Sequence, residues 1–436
     1  MDTRGRAGTV GGLAVAVGIG AAVWTGLGAP LAAADDSGTG GASHHATTPK
    51  STASSARGSL TSPAVGTTKR RPTAKIPGPA SPAGPIALSQ VVSAAATTRR
   101  AGVAAPAEPV VTTSVSAAPA TNSITYTAPP SIGDQITLAS LRFLRVVSNV
   151  IGIDLYGQIG KAMASANPPR FLLGGLTATK TTYTTAEGVD WKVWEFTPSE
   201  PSGKAVVAIH GGGFILQPIL LHWIDYTNMA RDTGATVIVP MYPLATTEAG
   251  AAVHTVPAMA DFISAQIDTY GADNVSIYAD SAGPNIALAA VRLLIKNDKP
   301  VPASMVLLSF QPDATMSNPA IKTANDPVFN AGDFSFYANH WADGVEPSDP
   351  LIDPMNFESD VLQQLPLTTV YVGSTEFSLS DNLLFQQKVA DAGGTMSMVI
   401  GRGQIHDWAL GVPINSQAMV VRRDIYSELG LTGTSV

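Results

Sequence analysis

Short apolar runs alternate with segments of helical periodicity along the C-terminal part of this chain, and this alternation is its strongest structural constraint. The runs that we interpret as strands are Ala205–Ile209, Thr236–Met241, Val275–Tyr278, Ser304–Phe310, Thr368–Val372 and Thr395–Val399. Val- and Ile-rich runs without polar alternation are typical of parallel strands that are buried on both faces. The sequence therefore predicts an α/β domain over residues 131–436, with a mostly parallel central sheet and helices on both faces.

Two segments outside this alternation have the character of lid elements. Residues 131–170 carry apolar side chains at helical spacing before the first parallel strand. They form either part of a helical lid or an ordinary outer helix. Residues 311–364 separate two strands and contain few strand signals, which indicates an insertion. Between the first segment and the sheet, Thr181–Thr185 and Trp191–Thr197 predict a β-hairpin.

The N-terminal part has a different composition from the rest. Residues 1–34 combine an early basic stretch, an uncharged Gly/Ala/Val-rich middle and an Ala-Ala-Ala end, as in a secretory signal peptide cleaved after Ala34. A retained membrane anchor is the alternative, because the apolar run is nearly long enough to span a bilayer. Both interpretations predict export from the cytoplasm, to the medium or the cell envelope.

Residues 35–130 are dominated by Ala, Pro, Ser, Thr and Gly, and we expect a disordered spacer there. Residues 1–130 hold ten Lys and Arg against four Asp and Glu, whereas the remainder holds sixteen against twenty-nine. The acidic remainder argues against nucleic acid as a partner. The basic residues of the spacer suit a solvated linker or, as a second interpretation, attraction to an anionic cell envelope. Without cysteine, the chain has no thiol nucleophile and no thiolate metal site.

One strand leads into a sharp turn with a central serine. Val275–Tyr278 is followed by Ala279-Asp280-Ser281-Ala282-Gly283 and then by a helical pattern. Strand, tight turn and helix form a nucleophile elbow, usually G-x-S-x-G, in which Ala279 replaces the first glycine. Taken alone, the match is weak, since a plain Ser-Ala-Gly turn has the same sequence.

A catalytic serine needs a base and an orienting carboxylate, which in such sheets follow later strands in the order Ser, acid, His. His406 follows the last predicted strand, and we expect it to be the base; His222, in a helical stretch, is interpreted as an ordinary helix-face histidine. Glu376, in the loop after Thr368–Val372, is preferred as the acid. Asp381 is interpreted as a first-turn helix acid, and Asp407 as a strained partner for its neighbour His406.

The segment His210-Gly211-Gly212-Gly213-Phe214 directly follows a predicted strand, where an oxyanion loop belongs. We expect backbone N–H groups of Gly212, Gly213 and Gly211, with that of Ala282, to bind the oxyanion. His210 and Asp280 are expected to support these motifs rather than transfer protons.

Together, five motifs resemble the hormone-sensitive-lipase-like branch of the α/β-hydrolases, over roughly residues 170–430. They are H-G-G-G-F at 210–214, Y-P-L-A at 242–245, A-D-S-A-G at 279–283, G-S-T-E at 373–376 and H-D-W at 406–408. Two departures are Ala279, where the family usually has glycine, and Glu376, where it more often has aspartate.

The resemblance implies a cofactor-independent and metal-independent serine carboxylesterase or lipase, with a lid built from the N-terminal helices and the insertion. Its substrate would be a small-molecule or lipid ester. A non-catalytic binding protein on the same fold, or an amidase or acyltransferase with the same triad, remains an alternative. The compositions of residues 1–34 and of the spacer also resemble those of exported actinobacterial proteins.

Overall fold

The computed structural model describes residues 122–329, 331–410 and 415–431. The predicted signal segment and most of the predicted spacer lie outside these residues. The nine strands in the described residues are β1 (Ile124–Tyr126), β2 (Leu176–Thr184), β3 (Asp190–Pro198), β4 (Ala205–Ile209), β5 (Thr236–Met241), β6 (Val275–Asp280), β7 (Ser304–Leu308), β8 (Leu367–Gly373) and β9 (Met396–Gly401). The six strands predicted from apolar runs, β4 to β9, are confirmed with ends that differ by at most two residues.

All nine strands form one sheet in the order β1-β9-β8-β7-β6-β4-β5-β3-β2. In this order, all neighbouring strands from β1 through β9, β8, β7, β6 and β4 to β5 are parallel. The last two strands are antiparallel to their neighbours: β3 pairs with β5, and β2 pairs with β3. The predicted hairpin is therefore confirmed as β2 and β3. Every residue of β4, β5, β6 and β7 is buried, which explains why these strands lack polar alternation.

Helices cover both faces of the sheet. They are α1 (Ile132–Ile151), α2 (Leu155–Met163), α3 (Leu220–Thr233), α4 (Ala252–Tyr270), α5 (Gly283–Lys296), α6 (Ala331–Ala342), α7 (Ser359–Gln363), α8 (Leu379–Asp391) and α9 (Ser416–Glu428). The apolar side chains of α4, α5 and α8 belong to one core cluster, and those of α3 and α9 to a second. The predicted fold class, a mostly parallel sheet between two helical layers, is confirmed.

Helix α1 begins at a capping box, in which Ser131 and Asp134 satisfy each other's backbone N–H groups. It lies against the insertion between β7 and β8, because Arg145 donates to the Val328 carbonyl and pairs with Asp333 at 3.0 Å. The helix thus contacts the segment that covers the site described below, as a lid element would.

The structure includes a strand inside the predicted spacer. The expected spacer extended to residue 130, but Ile124–Tyr126 forms β1 beside β9 at the edge of the sheet. The Asn122 side chain binds the Met396 N–H and the Gly394 carbonyl. Backbone pairing with an existing strand stabilises a segment whose own side chains are exposed, and composition gives no sign of such pairing.

Among the described residues, no single helix is long and apolar enough to cross a membrane. Helices α1 and α2 meet the length and composition requirement as a pair, with a bend of 112° between them.

Candidate active site

The turn between β6 and α5 holds Ser281 in a left-handed backbone conformation, with φ of 54°. Such a φ is uncommon for a residue other than glycine and is typical of strained functional turns. The Ser281 N–H donates to the Leu308 carbonyl at 2.8 Å, which ties the turn to β7. Gly283 lies so close to β4 that an added Cβ would be 2.1 Å from the Ile209 carbonyl oxygen. The geometry is that of a nucleophile elbow, although Ala279 occupies its first position.

The structure brings Ser281, His406 and Glu376 together. The Ser281 Oγ lies 2.9 Å from His406 Nε2, and His406 Nδ1 lies 3.2 Å from Glu376 Oε2. The serine hydroxyl can thus donate to one ring nitrogen, while the other nitrogen donates to the carboxylate. This arrangement can remove the serine proton and stabilise the resulting imidazolium.

Backbone and hydroxyl groups fix the Glu376 carboxylate. Its Oε1 accepts from the Ser309 hydroxyl at 2.7 Å and from the Gly373 N–H at 2.5 Å, and Oε2 also accepts from the Ser378 hydroxyl. Asp381 lies in the first turn of α8, as predicted, where it binds the side chains of Gln311 and Asn318 instead of a histidine.

Asp407, which the sequence analysis interpreted as a strained partner for its neighbour His406, lies beside the imidazole. Its φ is 55°, and its Oδ2 lies 3.5 Å from His406 Nε2, on the serine side of the ring. Burial alone would lower the pKa of His406, but the carboxylates of Asp407, Glu376 and Asp326 outweigh it and raise that pKa.

The glycine loop runs beside the serine. Gly212 and Gly213 have φ of 111° and 60°, and Gly213 and Ala282 line the same cavity as Ser281. Gly211 differs from the expectation, since its N–H donates to Asp280 Oδ2 at 3.0 Å and is not free for an oxyanion. Gly211 instead provides room, because an added Cβ would be 2.8 Å from the Ser281 Cβ.

His210 supports the loop without access to the serine. Its Nδ1 donates to the Gly211 carbonyl at 2.7 Å, and its ring stacks on Tyr242 with centroids 4.4 Å apart. The Tyr242 hydroxyl in turn donates to the His210 carbonyl at 2.7 Å. Burial lowers the pKa of His210 to about 4, so its ring is neutral in ordinary buffers.

A second histidine–carboxylate pair, His222 and Asp280, was missed by the sequence analysis. His222 Nε2 lies 2.8 Å from Asp280 Oδ2, and His222 Nδ1 accepts the Ile219 N–H at 2.9 Å. Burial alone would lower the pKa of His222, but Asp280 outweighs it and raises that pKa. Since Nδ1 is an acceptor, the remaining ring proton lies on Nε2 and points at Asp280. The sequence signal was faint: one histidine among apolar residues of a helix that follows the glycine loop.

A narrow cavity of about 30 Å³ opens beside the serine. Besides the loop residues and His406, its lining consists mainly of aromatic rings: Phe214, Phe329, Phe334, Tyr337 and Phe377. Phe329 also packs edge-on against the His406 ring, at 4.7 Å between centroids. Among the described residues, no group of three or more His, Asp or Glu side chains could hold a metal ion. The aromatic lining of the cavity beside Ser281 suits an apolar group of a ligand.

Comparisons with known proteins agree with this fold. Residues 206–410 match the model of a family with the alpha/beta hydrolase fold. The chain is 40% identical over 247 residues to a triacylglycerol lipase of Mycobacterium tuberculosis, covering 57% of this chain and 51% of that protein. It is 30% identical over 200 residues to an esterase of Acinetobacter venetianus, covering 43% and 62%. The chain thus spans about half to three fifths of these curated relatives.

A solved hormone-sensitive lipase from a metagenome library shares the fold, with a TM-score of 0.58, 22% identity and coverage of 70% of this chain and 99% of that one. The motifs, the sheet and the relatives agree on one assignment, and the resemblance drawn from the motifs is confirmed. Residues 206–410 of this chain therefore have the alpha/beta hydrolase fold.

Proposed function

We propose that residues 131–436 form a serine carboxylic ester hydrolase, either a carboxylesterase or a lipase. The observation that carries this proposal is the continuous contact from Ser281 Oγ through His406 to Glu376, beside an aromatic cavity. The names of the two curated relatives, a triacylglycerol lipase and an esterase, support the same reaction class.

In this reaction Ser281 Oγ attacks the ester carbonyl carbon while His406 Nε2 takes the hydroxyl proton. The imidazolium is stabilised by Glu376 and then gives the proton to the leaving alkoxide as the tetrahedral intermediate collapses to an acyl-enzyme. Water, deprotonated by His406, then attacks the acyl carbonyl and releases the acid and Ser281.

The negative charge on the tetrahedral oxygen needs preorganised donors. We assign this role to the N–H groups of Gly212, Gly213 and Ala282. Gly211, which the sequence analysis included among the donors, is left out because its N–H already donates to Asp280. The N-terminus of α5, which begins at Gly283, adds the positive end of a helix dipole next to the serine.

The substrate class follows from the covering of the serine. Three aromatic rings of the cavity, those of Phe329, Phe334 and Tyr337, come from the insertion at 311–364, which we propose as part of the lid. The cavity has room for about two water molecules, so a longer acyl chain needs these rings to move. An uncharged ester, of a small molecule or a lipid, suits such a lining.

Helix α1 supports the lipid alternative. One face carries exposed large apolar side chains at helical spacing: Ile132, Ile136, Phe143, Val146 and Val150. An exposed apolar row of this kind suits contact with an apolar substrate phase. We further propose export through the segment 1–34, on sequence grounds alone, and the mass of the mature N-terminus would distinguish cleavage after Ala34 from a retained anchor.

Hydrolysis of p-nitrophenyl esters of increasing chain length tests the proposal. We expect wild-type activity, and a loss of at least roughly 10⁴-fold in Ser281→Ala. Ser276→Ala is the matched control, because Ser276 is a buried serine near the other end of β6, bonded to the Leu429 carbonyl, and we expect its loss to leave kcat unchanged. A folded wild-type protein that hydrolyses none of these esters would exclude the proposal.

Tyr337 allows a test of substrate size. An added Cβ at Gly213 would lie 2.9 Å from the Tyr337 ring, so this ring rests directly on the glycine loop. We expect Tyr337→Ala to widen the cavity and to raise the ratio of kcat/KM on the octanoate ester to that on the acetate ester. An unchanged ratio would show that the Tyr337 ring does not limit acyl length.

A further inference from the structure

We propose that Asp407 is a positioning residue that stabilises the imidazolium form of His406 from the Nε2 side of the ring, opposite to Glu376. This inference rests on the proposed hydrolase activity and extends it. It assigns a second carboxylate to the histidine that takes the serine proton.

The distances separate the two contacts at Nε2. Ser281 Oγ lies 2.9 Å from this nitrogen and makes the hydrogen bond, whereas Asp407 Oδ2 lies 3.5 Å away. At that distance a carboxylate acts through its charge rather than as a strong hydrogen-bond acceptor. Asp407 therefore does not displace the serine, but it places negative charge beside the proton that the nitrogen receives.

The backbone of Asp407 is held for this role. Its φ of 55° is left-handed, which turns the side chain back towards the preceding ring. Its N–H donates to the Ser309 hydroxyl at 2.9 Å, and that hydroxyl donates to Glu376. Strained backbone of this type is retained when the surroundings fix it, and it concentrates at functional sites.

Because the Asp407 carboxylate is mostly shielded from solvent, the His406 ring is the main group that can compensate its negative charge. The Asp407 side chain is 21% exposed, and within the described part of the chain its Oδ1 is buried without a hydrogen-bond partner. Burial raises the pKa of Asp407 above its usual range, with help from the carboxylates of Asp280 and Glu376, and the His406 and His222 rings reduce this shift. A positive charge on His406 thus stabilises the Asp407 carboxylate, and the reverse holds equally.

The charged groups around His406 come from three segments. Glu376 follows β8, Asp326 belongs to the insertion, and Asp407 follows His406 itself. All three favour the imidazolium, and among them only Asp407 is paired with Nε2, where the proton arrives. In the acylation step the Ser281 O–H bond breaks, the Oγ–carbon bond forms, and the proton ends on Nε2 between Ser281 and Asp407. The negative charge of Asp407 lowers the energy of that state.

The test is the pH dependence of kcat/KM on p-nitrophenyl acetate, together with an NMR titration of the His406 ring. Asparagine tolerates a left-handed φ, so Asp407→Asn removes the charge and keeps the backbone. We expect the acid limb and the titration midpoint of His406 to move together to lower pH, by about one to two units. Asp298→Asn is the matched control, since Asp298 is exposed and also left-handed, with φ of 54°, and it should move neither.

The outcomes are distinct. An acid limb and a titration midpoint that stay in place in folded Asp407→Asn overturn the inference, because a merely structural residue would change the rate without moving them. If Asp407→Asn does not fold, Asp407→Gly removes the carboxylate at a φ that glycine adopts freely. If the wild-type protein hydrolyses no ester, the proposed function fails, whereas the NMR titration still decides the role of Asp407.

Discussion

Two histidine–carboxylate pairs lie beside Ser281. They differ in the group that contacts the second ring nitrogen, the one that does not face the carboxylate. In the pair of His406 and Glu376, the second ring nitrogen faces the serine hydroxyl at 2.9 Å. In the pair of His222 and Asp280, the second ring nitrogen accepts the backbone N–H of Ile219 at 2.9 Å. The first pair can therefore take the proton of the serine hydroxyl, whereas both nitrogens of His222 are bonded to groups that do not react. In the proposed reaction, the first pair moves a proton, whereas the second holds a loop.

The carboxylates show the same difference. Glu376 accepts hydrogen bonds from hydroxyl and N–H groups, which hold it against the His406 ring, whose charge changes in the proposed reaction. Asp280 instead joins His222 to the Gly211 N–H, so it connects a helix to the glycine loop. We infer that the second pair fixes the position of the oxyanion donors, and that its loss acts on the rate only through that loop.

Replacing each histidine by glutamine should give the largest contrast. His406→Gln removes the base, and we expect kcat to fall at least roughly 10⁴-fold. His222→Gln can still donate to Asp280, and we expect a loss of about tenfold, since only the fit of the loop changes. Steady-state kinetics on p-nitrophenyl acetate measures both. Equal losses in two folded variants would remove the distinction between the pairs.

Replacing the acids tests which carboxylate serves His406. In Glu376→Gln the amide cannot stabilise the imidazolium, and we expect kcat to fall by about 10³- to 10⁴-fold. Asp381→Asn is the matched control: Asp381 is a buried acid of the neighbouring helix, bonded to Gln311 and Asn318. We expect it to lower thermal stability while kcat is kept. The opposite kinetic pattern would assign the acid to Asp381.

Removing the charge of Asp280 should disturb the position of the glycine loop more than the His222 substitution does. Asp280→Asn leaves the Gly211 N–H and the His222 Nε2–H with a poorer acceptor in a fully buried position. We expect the free energy of unfolding to fall by about 1–3 kcal/mol. We also expect kcat to fall by about 10- to 100-fold, through displaced donors. Denaturant unfolding and kinetics measure the two effects, and an unchanged kcat would show that the pair does not position the oxyanion loop.

The pH profile provides the smallest and most specific contrast. His406 acts as a base only when neutral, and the neighbouring carboxylates raise its pKa. We therefore expect kcat/KM to fall as pH decreases through a value above the usual pKa of histidine. His222→Gln should lower the plateau without moving this limb. A limb that moves in His222→Gln would show that His222 influences the proton-transfer step.

The sequence predicted those site residues whose position depends only on the strand that precedes them. Ser281, Glu376 and His406 each follow a strand of the parallel part of the sheet, and the carboxyl ends of parallel strands meet at one edge of a sheet. Their positions relative to the strands were therefore enough to predict that they meet. The wholly buried strands were equally visible, since their apolar runs have no polar alternation.

The sequence could not predict contacts that depend on one dihedral angle or on distant packing. His222 reaches Asp280 across 58 positions of the chain, through the packing of α3 against the sheet. The sequence analysis named Asp407 as a strained partner of His406, but nothing in the letters His-Asp-Trp gives the positive φ with which Asp407 reaches Nε2. Gly211 was grouped with the other loop glycines because glycine runs do not show which N–H groups are already bonded.

The most direct test of the difference between the two pairs is labelling by a fluorophosphonate, followed by mass spectrometry of the labelled peptide. The wild-type protein should carry the label on Ser281, because the Ser281 Oγ lies 2.9 Å from His406 Nε2, a base that can take its proton. His406→Gln should abolish labelling, and His222→Gln should slow it without abolishing it. A label on another serine, or a His406→Gln variant that labels Ser281 at the wild-type rate, would contradict the account.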